Sequence, residues 1–403
     1  MTATHLTPRA MNILETISPI RKFFTESTWA RRASEPGMCD FTIGNPNEMP
    51  PHSYIETLKH WIEPRDPHWF AYTMNEPSAR RAVAESLRKW RGVVFEEEDI
   101  FMTNGLTGGL VVVIGAIVEP GDEVIFVSPP WFLYEGMIIA AGGVPVREKI
   151  DLDTYDLDLA SIERSITART RAIIINSPHN PTGRIYPPET LQALADILEK
   201  ASGKNGRPIY LISDESYSRI VFDKRVYPSP TSFYPNSFLV YTYTKVLLAP
   251  GERLGYIALP PEMPRREEMR SIIFAFQMLS GWAFPDALLQ HALGDLEQIS
   301  IDLEHLQSKR DRLVASLRDM GYETNLPEGT FYILVRSPIA EDHLFAEMLS
   351  EYDIFCMPGS ALELPGYFRL SITASDEMID RALPGFAAAL KRAGEIKRQN
   401  DAE

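Results

Sequence analysis

The chain has 403 residues, a formal net charge of −15, hydrophobic residues at 44% and charged ones at 24%, an ordinary globular composition with length enough for two domains. Its 40 Lys and Arg are scattered along an acidic chain, which argues against nucleic acid or an anionic membrane as partner and favours a small-molecule substrate. The two cysteines, Cys39 and Cys356, stand far apart, and neither C-x-x-C nor H-E-x-x-H occurs, so no disulfide framework and no metal site is signalled and a reducing, cytoplasmic setting is expected.

In chain order, the opening MTATHLTPRAMNIL lacks the basic stretch and apolar core of a targeting signal. The longest apolar run, 109–118, is too short to span a bilayer, so a soluble protein is expected. The loop TNGLTGG (103–109) opens an apolar helical pattern, and a glycine-rich helix start offers unpaired N–H groups and a positive dipole end to an anion. This loop is neither G-x-G-x-x-G nor G-x-x-x-x-G-K-[ST], so it signals neither a dinucleotide fingerprint nor a P-loop.

Short β-branched runs follow: EVIFVSP (123–129), AIIINSP (172–178), PIYLISDES (208–216) and FLVYTYT (238–244). Between them lie helical patterns such as PPETLQALADILEKA, whose prolines sit where a first helical turn tolerates them. Strands that alternate with helices predict an α/β fold with a mostly parallel sheet covered on both faces. After about Glu262 the pattern turns helical through Met320, and a compact region follows with GTFYILVR (329–336) and FRLSIT (368–373) as strands. Residues 45–285 are therefore read as the large domain, and 1–44 with 286–403 as a smaller α+β domain that includes an N-terminal arm. The last residues, rich in Lys, Arg, Asn and Asp, are expected to fray.

In an open parallel sheet, ligands collect beyond the carboxyl ends of the strands. That rule directs Asn180, Asp214, Tyr217, Thr242 and Lys245 toward one crevice. Taken alone, Lys245 and Arg253 are surface charges flanking the Pro250-Gly251 turn. Together with the 103–109 loop they compose a site for a phosphorylated aromatic aldehyde: a phosphate cradle with an arginine fork, an acid for a ring nitrogen, donors for a phenolic oxygen, and a lysine to form a Schiff base. Pyridoxal 5'-phosphate, an electron sink for carbanions, is such a molecule.

The segments FTIGNP, TNGLTGGL, EPGDEVIFVSPPWFLYEGM, NSPHNPTGRIY, SDESYSRIVFD, YTYTKVLLAPGERLGY, GTFYILV and FRLSITAS, spread over residues 41–375, resemble those of the pyridoxal-phosphate-dependent class I/II aminotransferases of the aspartate aminotransferase superfamily, fold type I. The resemblance implies that Lys245 is the Schiff-base lysine and proton shuttle, that Asp214 pairs with the pyridinium nitrogen, and that Asn180 and Tyr217 donate to the ring oxygen. It implies that Trp131 stacks on the ring, that Thr242, Arg253 and the Gly105, Leu106 and Thr107 backbone hold the phosphate, and that Arg369 grips the substrate α-carboxylate. Gly44 matches the position where backbone approaches substrate, beside Asn180, and Tyr72 matches a tyrosine that reaches the phosphate of a neighbouring subunit.

The chain also departs from the family. Thr242 and Thr244 stand where serines are frequent, Leu106 and Gly108 replace more polar residues, AYTMNEPSARRAV is short and lacks a usual glycine, and Leu362 occupies a position that is often aromatic. The implied reaction is ping-pong transfer of an amino group between an L-amino acid and a 2-oxo acid by a homodimer with shared sites. The same crevice serves C–S β-lyases, amino-acid oxidases or deaminases, and decarboxylases. A cofactor-binding regulator is disfavoured, because the arm before Phe41 leaves no room for a helix-turn-helix module. The side chain of the substrate is not specified by these motifs; Arg21, in ISPIRKFF, is a candidate partner for a second carboxylate.

Overall fold

A computed structural model describes residues 6–400 apart from position 282. Among the described residues the strands are β1 (Cys39–Asp40), β2 (Ile100–Thr103), β3 (Glu123–Ser128), β4 (Val144–Lys149), β5 (Thr170–Asn176), β6 (Tyr210–Asp214), β7 (Ser237–Thr242), β8 (Gly255–Ala258), β9 (Tyr332–Arg336), β10 (Ile354–Phe355), β11 (Met357–Pro358) and β12 (Tyr367–Ser371). Seven of them form the large sheet, in the order β2-β8-β7-β6-β5-β3-β4.

The neighbours from β7 to β4 all run parallel, while β8 runs antiparallel to both β7 and β2. The sheet is thus the mostly parallel one that alternating strands and helices predict. The antiparallel strand follows from the short return between β7 and β8: Tyr243 N–H bonds Leu254 C=O at 3.0 Å and closes the loop that carries Lys245 and Arg253. Both cations are thereby held at the carboxyl end of the sheet.

The central strands β5 and β6 carry continuous apolar runs, Ala172–Ile175 and Tyr210–Ile212, because both of their faces are covered, and they place their polar residues at the ends. On one face Val124, Phe126, Ile174, Ile212 and Val240 pack under helix Gly105–Ile117. On the other, Ile125, Ile173 and Leu211 meet helix Pro188–Asn205 through Leu191, Leu194 and Leu198. That helix begins on Pro188 and is followed by Gly206 at φ 67°, the asymmetry expected of helix ends.

The smaller sheet, β11-β12-β9, is antiparallel and carries Arg369 on its central strand. Nearby, β1 of the N-terminal arm pairs with β10 in parallel. Helix Ala287–Leu296, within the segment read above as part of the smaller domain, packs through Leu289, Ala292 and Leu293 with Val83 and Leu87 of helix Pro77–Arg91 and with Tyr54. The expected frayed end is a correction: helix Asp376–Asn400 continues into it, because Phe386, Ala389, Ala393 and Ile396 keep an apolar stripe on the core that includes β9 and β12. Positions 401–403, like positions 1–5 of the opening stretch, lie outside the described residues. No described helix is long and apolar enough to cross a membrane.

Candidate active site

A cavity of about 240 Å³ opens where the carboxyl ends of β5, β6 and β7 meet β12 and the N-terminal arm. Gly44, Leu106, Thr107, Trp131, Asn180, Asp214, Tyr217, Thr242, Lys245, Arg253 and Arg369 all line it. Gly105 lies just beneath Arg253, and Tyr72 does not line the cavity of its own chain.

Asp214 ends β6 and is 2% exposed. Its Oδ1 accepts from the Ser216 N–H at 3.1 Å and the Ser216 hydroxyl at 2.7 Å, and its Oδ2 accepts from the Tyr134 phenol at 2.5 Å. Burial pushes the carboxyl above its ordinary range, against the pull of these donors and of the Lys245 charge. A neighbouring cation on the open side would relieve that cost. The Lys245 ammonium sits 5.6 Å from the ring centroids of both Tyr217 and Phe331, so an aromatic wall flanks the amine.

The anion end is built by the start of helix Gly105–Ile117. Gly105 has φ +69°, and a Cβ there would lie 2.6 Å from Arg253 Nη2, so only glycine lets the guanidinium settle against the helix start. The Thr242 and Thr244 hydroxyls, 3.0 Å apart and buried, complete this end. The threonines keep the hydroxyls that serines would supply.

Arg369 is 4% exposed yet keeps open valences. Its Nη1 donates to Asn180 Oδ1 at 3.0 Å and its Nη2 to Thr42 C=O at 2.9 Å, while Nε is buried with no hydrogen-bond partner among the described residues. The guanidinium lies 3.9 Å from the Tyr332 ring centroid. Burial raises the Tyr332 phenol, but the charges of Arg369 and Lys245 and bonds from Tyr217 and the Gly44 backbone bring it below its ordinary value. Tyr217 moves the other way, held well up by burial and by Tyr332. Gly44 has a steric reason beyond an open approach: a Cβ would fall 2.2 Å from Phe331 Cε2 and 2.8 Å from the Tyr332 hydroxyl.

Several contributors lie within the motif segments but are given no role by them. Tyr134, three residues after Trp131, meets Asp214 across 80 positions. Asn176 donates to Asp214 C=O at 3.0 Å and accepts from Asn180 N–H at 2.8 Å, fixing two strand ends together. His179 is 2% exposed, bonded to the Thr182 hydroxyl at 2.9 Å and to Pro129 C=O at 3.1 Å. Burial lowers its pKa to about 4, so it serves as a neutral brace for the loop after β5.

A model of the family described as aminotransferase class I and II matches residues 36–386. The chain belongs to that family. This aminotransferase is 34% identical over 325 residues to an aspartate/prephenate aminotransferase of Thermus thermophilus, the match covering 79% of this chain and 82% of the relative. It is 29% identical to a probable aspartate aminotransferase of Methanocaldococcus jannaschii, over 85% and 90% of the two chains. Among solved structures, an amino transferase from Eubacterium rectale superposes with a TM-score of 0.88 at 30% identity, covering 97% of this chain and 100% of that one. A Thermus thermophilus aspartate aminotransferase with maleate gives 0.82 at 27%, covering 96% and 100%.

The aminotransferase leaves Tyr72 89% exposed, its ring 5.0 Å from that of Phe284. Arg21, the candidate for a second carboxylate, is likewise exposed on helix Ser18–Glu26 and does not line the cavity; Ile20 and Phe24 of that helix do.

Proposed function

We propose that the cavity binds pyridoxal 5'-phosphate and that the enzyme uses it to move an amino group between an L-amino acid and a 2-oxo acid in ping-pong fashion. One juxtaposition carries this reading: a buried carboxylate, Asp214, and an amine, Lys245, open on the same cavity as the Gly105 helix start and Arg253.

The donor set fits the cofactor. Asp214, whose burial calls for a counter-charge, would pair with a protonated ring nitrogen. Arg253, Thr242, Thr244 and the N–H groups of Gly105, Leu106 and Thr107 would hold the phosphate, Asn180 and Tyr217 would donate to the ring oxygen, and Trp131 would cover the ring. Once bound, the cofactor supplies an electron sink for the charge left when a substrate α-proton departs.

The chain's own groups do the rest. Arg369, with its unpartnered Nε and planar fork, binds the substrate α-carboxylate and fixes which face of the α-carbon meets Lys245. Lys245 Nζ takes the α-proton and returns it. The Phe331, Tyr332 and Tyr217 rings keep water from the amine.

We infer a homodimer in which the exposed Tyr72 reaches the phosphate end of the partner's site. The two unpaired, buried cysteines suit a cytoplasmic location. Aspartate, named for the relatives, is one donor to test.

Borohydride reduction of the cofactor-loaded protein, followed by peptide mapping, should find the label on Lys245. Lys245→Ala should lower turnover about a hundred-fold or more. A label elsewhere, or turnover surviving in Lys245→Ala, overturns the assignment. Sedimentation of the loaded protein as a monomer overturns the dimer.

A further inference from the structure

We propose that this enzyme selects amino acids with uncharged, apolar side chains, and that Ile20, Phe24 and Leu362 form the wall that selects them. The proposal rests on the reading of the cavity given above and names its substrate class.

The wall is a hydrophobic cluster distinct from the domain cores. Ile20, Met357 and Leu362 are buried together, with Phe24 and Phe132 packed on them, where helix Ser18–Glu26 lies against the turn Gly359–Leu362. These five residues line the same cavity as Arg369 and Lys245. A substrate held by its α-carboxylate at Arg369 and its α-carbon at Lys245 therefore meets this apolar surface on the side of the cavity that the helix and the turn close. Leu362, where the family is often aromatic, is part of that surface.

Among the described residues, the cations lining the cavity are Lys245, Arg253 and Arg369, and each has a task at the cofactor or the α-carboxylate. Arg21 and Lys22 of the covering helix are exposed and stand outside it. No described cation of this chain is left to meet a second carboxylate.

The charge beyond the wall has the wrong sign for one. A smaller cavity of about 40 Å³ adjoins the first, sharing Ile20, Trp131, Phe132 and Leu362 with it and reaching Glu135 and Glu363. Arg147 bridges those two carboxylates at 2.6 Å and 2.8 Å, one positive charge against two negative ones. An incoming side-chain carboxylate would leave water for apolar contact beside a net negative end, whereas an aliphatic or aromatic side chain would only shed water.

The test uses the cofactor-loaded enzyme and a panel of L-leucine, L-methionine, L-phenylalanine, L-alanine, L-aspartate, L-glutamate and L-lysine, with oxo acid formation as readout. The best apolar donor should exceed aspartate and glutamate in kcat/KM by about ten-fold or more, the gain expected from burying a side chain of that size. Binding of non-reacting acids gives a second readout free of turnover: 4-methylpentanoate should compete with the amino donor at concentrations where succinate does not. In Leu362→Arg the leucine-to-aspartate ratio should fall by about ten-fold or more.

Aspartate or glutamate matching the apolar donors, or succinate binding as well as 4-methylpentanoate, overturns the apolar pocket and leaves the aminotransferase reading intact. Preference for lysine overturns it too and assigns the selecting role to Glu135 and Glu363. If no amino acid of the panel yields an oxo acid, the reading of the cavity falls and the proposal falls with it.

Discussion

The Tyr134 phenol donates to Asp214 Oδ2 at 2.5 Å, and both groups are buried. With the two Ser216 donors on Oδ1, this bond favours the ionised carboxylate at a place where burial pushes the carboxyl upward. Tyr134 is thus a positioning residue for the acid that the cofactor ring would meet.

From that relationship we predict the behaviour of Tyr134→Phe. Removing the phenol withdraws a hydrogen bond to a charged group, about 1.5–3 kcal/mol, so the Asp214 carboxyl rises further. Cofactor affinity should fall about ten-fold or more and the acid limb of the pH–rate profile should move to higher pH. An unchanged profile with full affinity would show that Ser216 suffices.

Arg369→Lys keeps the charge and loses the fork. Lysine cannot serve Asn180 Oδ1, Thr42 C=O and a bidentate carboxylate together. We predict a drop in kcat/KM of about a hundred-fold, expressed more in KM than in kcat, as steady-state kinetics would report. A change of only a few-fold would mean that the α-carboxylate is held elsewhere.

His179 gives the fold an acid-sensitive step. Its folded pKa of about 4 lies below the ordinary 6.5, so between these values the unfolded chain binds the extra proton. The stability it contributes is complete above about pH 6.5 and is lost as pH falls toward 4, by up to about 3 kcal/mol. Urea midpoints measured across this window should fall more steeply for the natural protein than for His179→Gln. Parallel curves would assign the acid lability to other groups.

Behind the Lys245 loop, Glu297 accepts from Arg219 at 2.6 Å and 3.0 Å, from Ser86 at 2.8 Å, and from the Tyr243 phenol. The Arg219 guanidinium lies 4.9 Å and 5.4 Å from the Tyr241 and Tyr243 ring centroids. Glu297→Gln leaves this arginine without its counter-charge, and a loss of about 3–5 kcal/mol is expected from chemical denaturation. Because Tyr243 is two residues from Lys245, activity should fall as well. A loss under about 1 kcal/mol would indicate that Arg219 reaches water instead.

Much of the architecture was legible in local pattern. The runs at β5 and β6 are continuous and apolar because helices cover both faces, and the flanking Pro, Ser and Asn mark their ends. The antiparallel course of β8 was not legible, since GYIA has no periodicity that tells direction; the 3.0 Å closure from Tyr243 to Leu254 sets it. The helical tail to Asn400 was missed because its charged residues read as a frayed end, while the stripe of Phe386, Ala389 and Ala393 finds a core to cover.

The family, the mostly parallel sheet and the set of polar residues at strand ends are already present in local sequence, because strand ends and glycine-rich helix starts are local features with local signatures. How those residues are partnered depends on the folded arrangement of distant segments. Tyr134 and Asp214 are 80 positions apart, Arg369 and Asn180 are 189 apart, and Ile20 reaches Leu362 across most of the chain. Contacts at such separations come from the packing of whole elements, so the support of the buried acid and the apolar wall of the cavity exist only once the chain has folded.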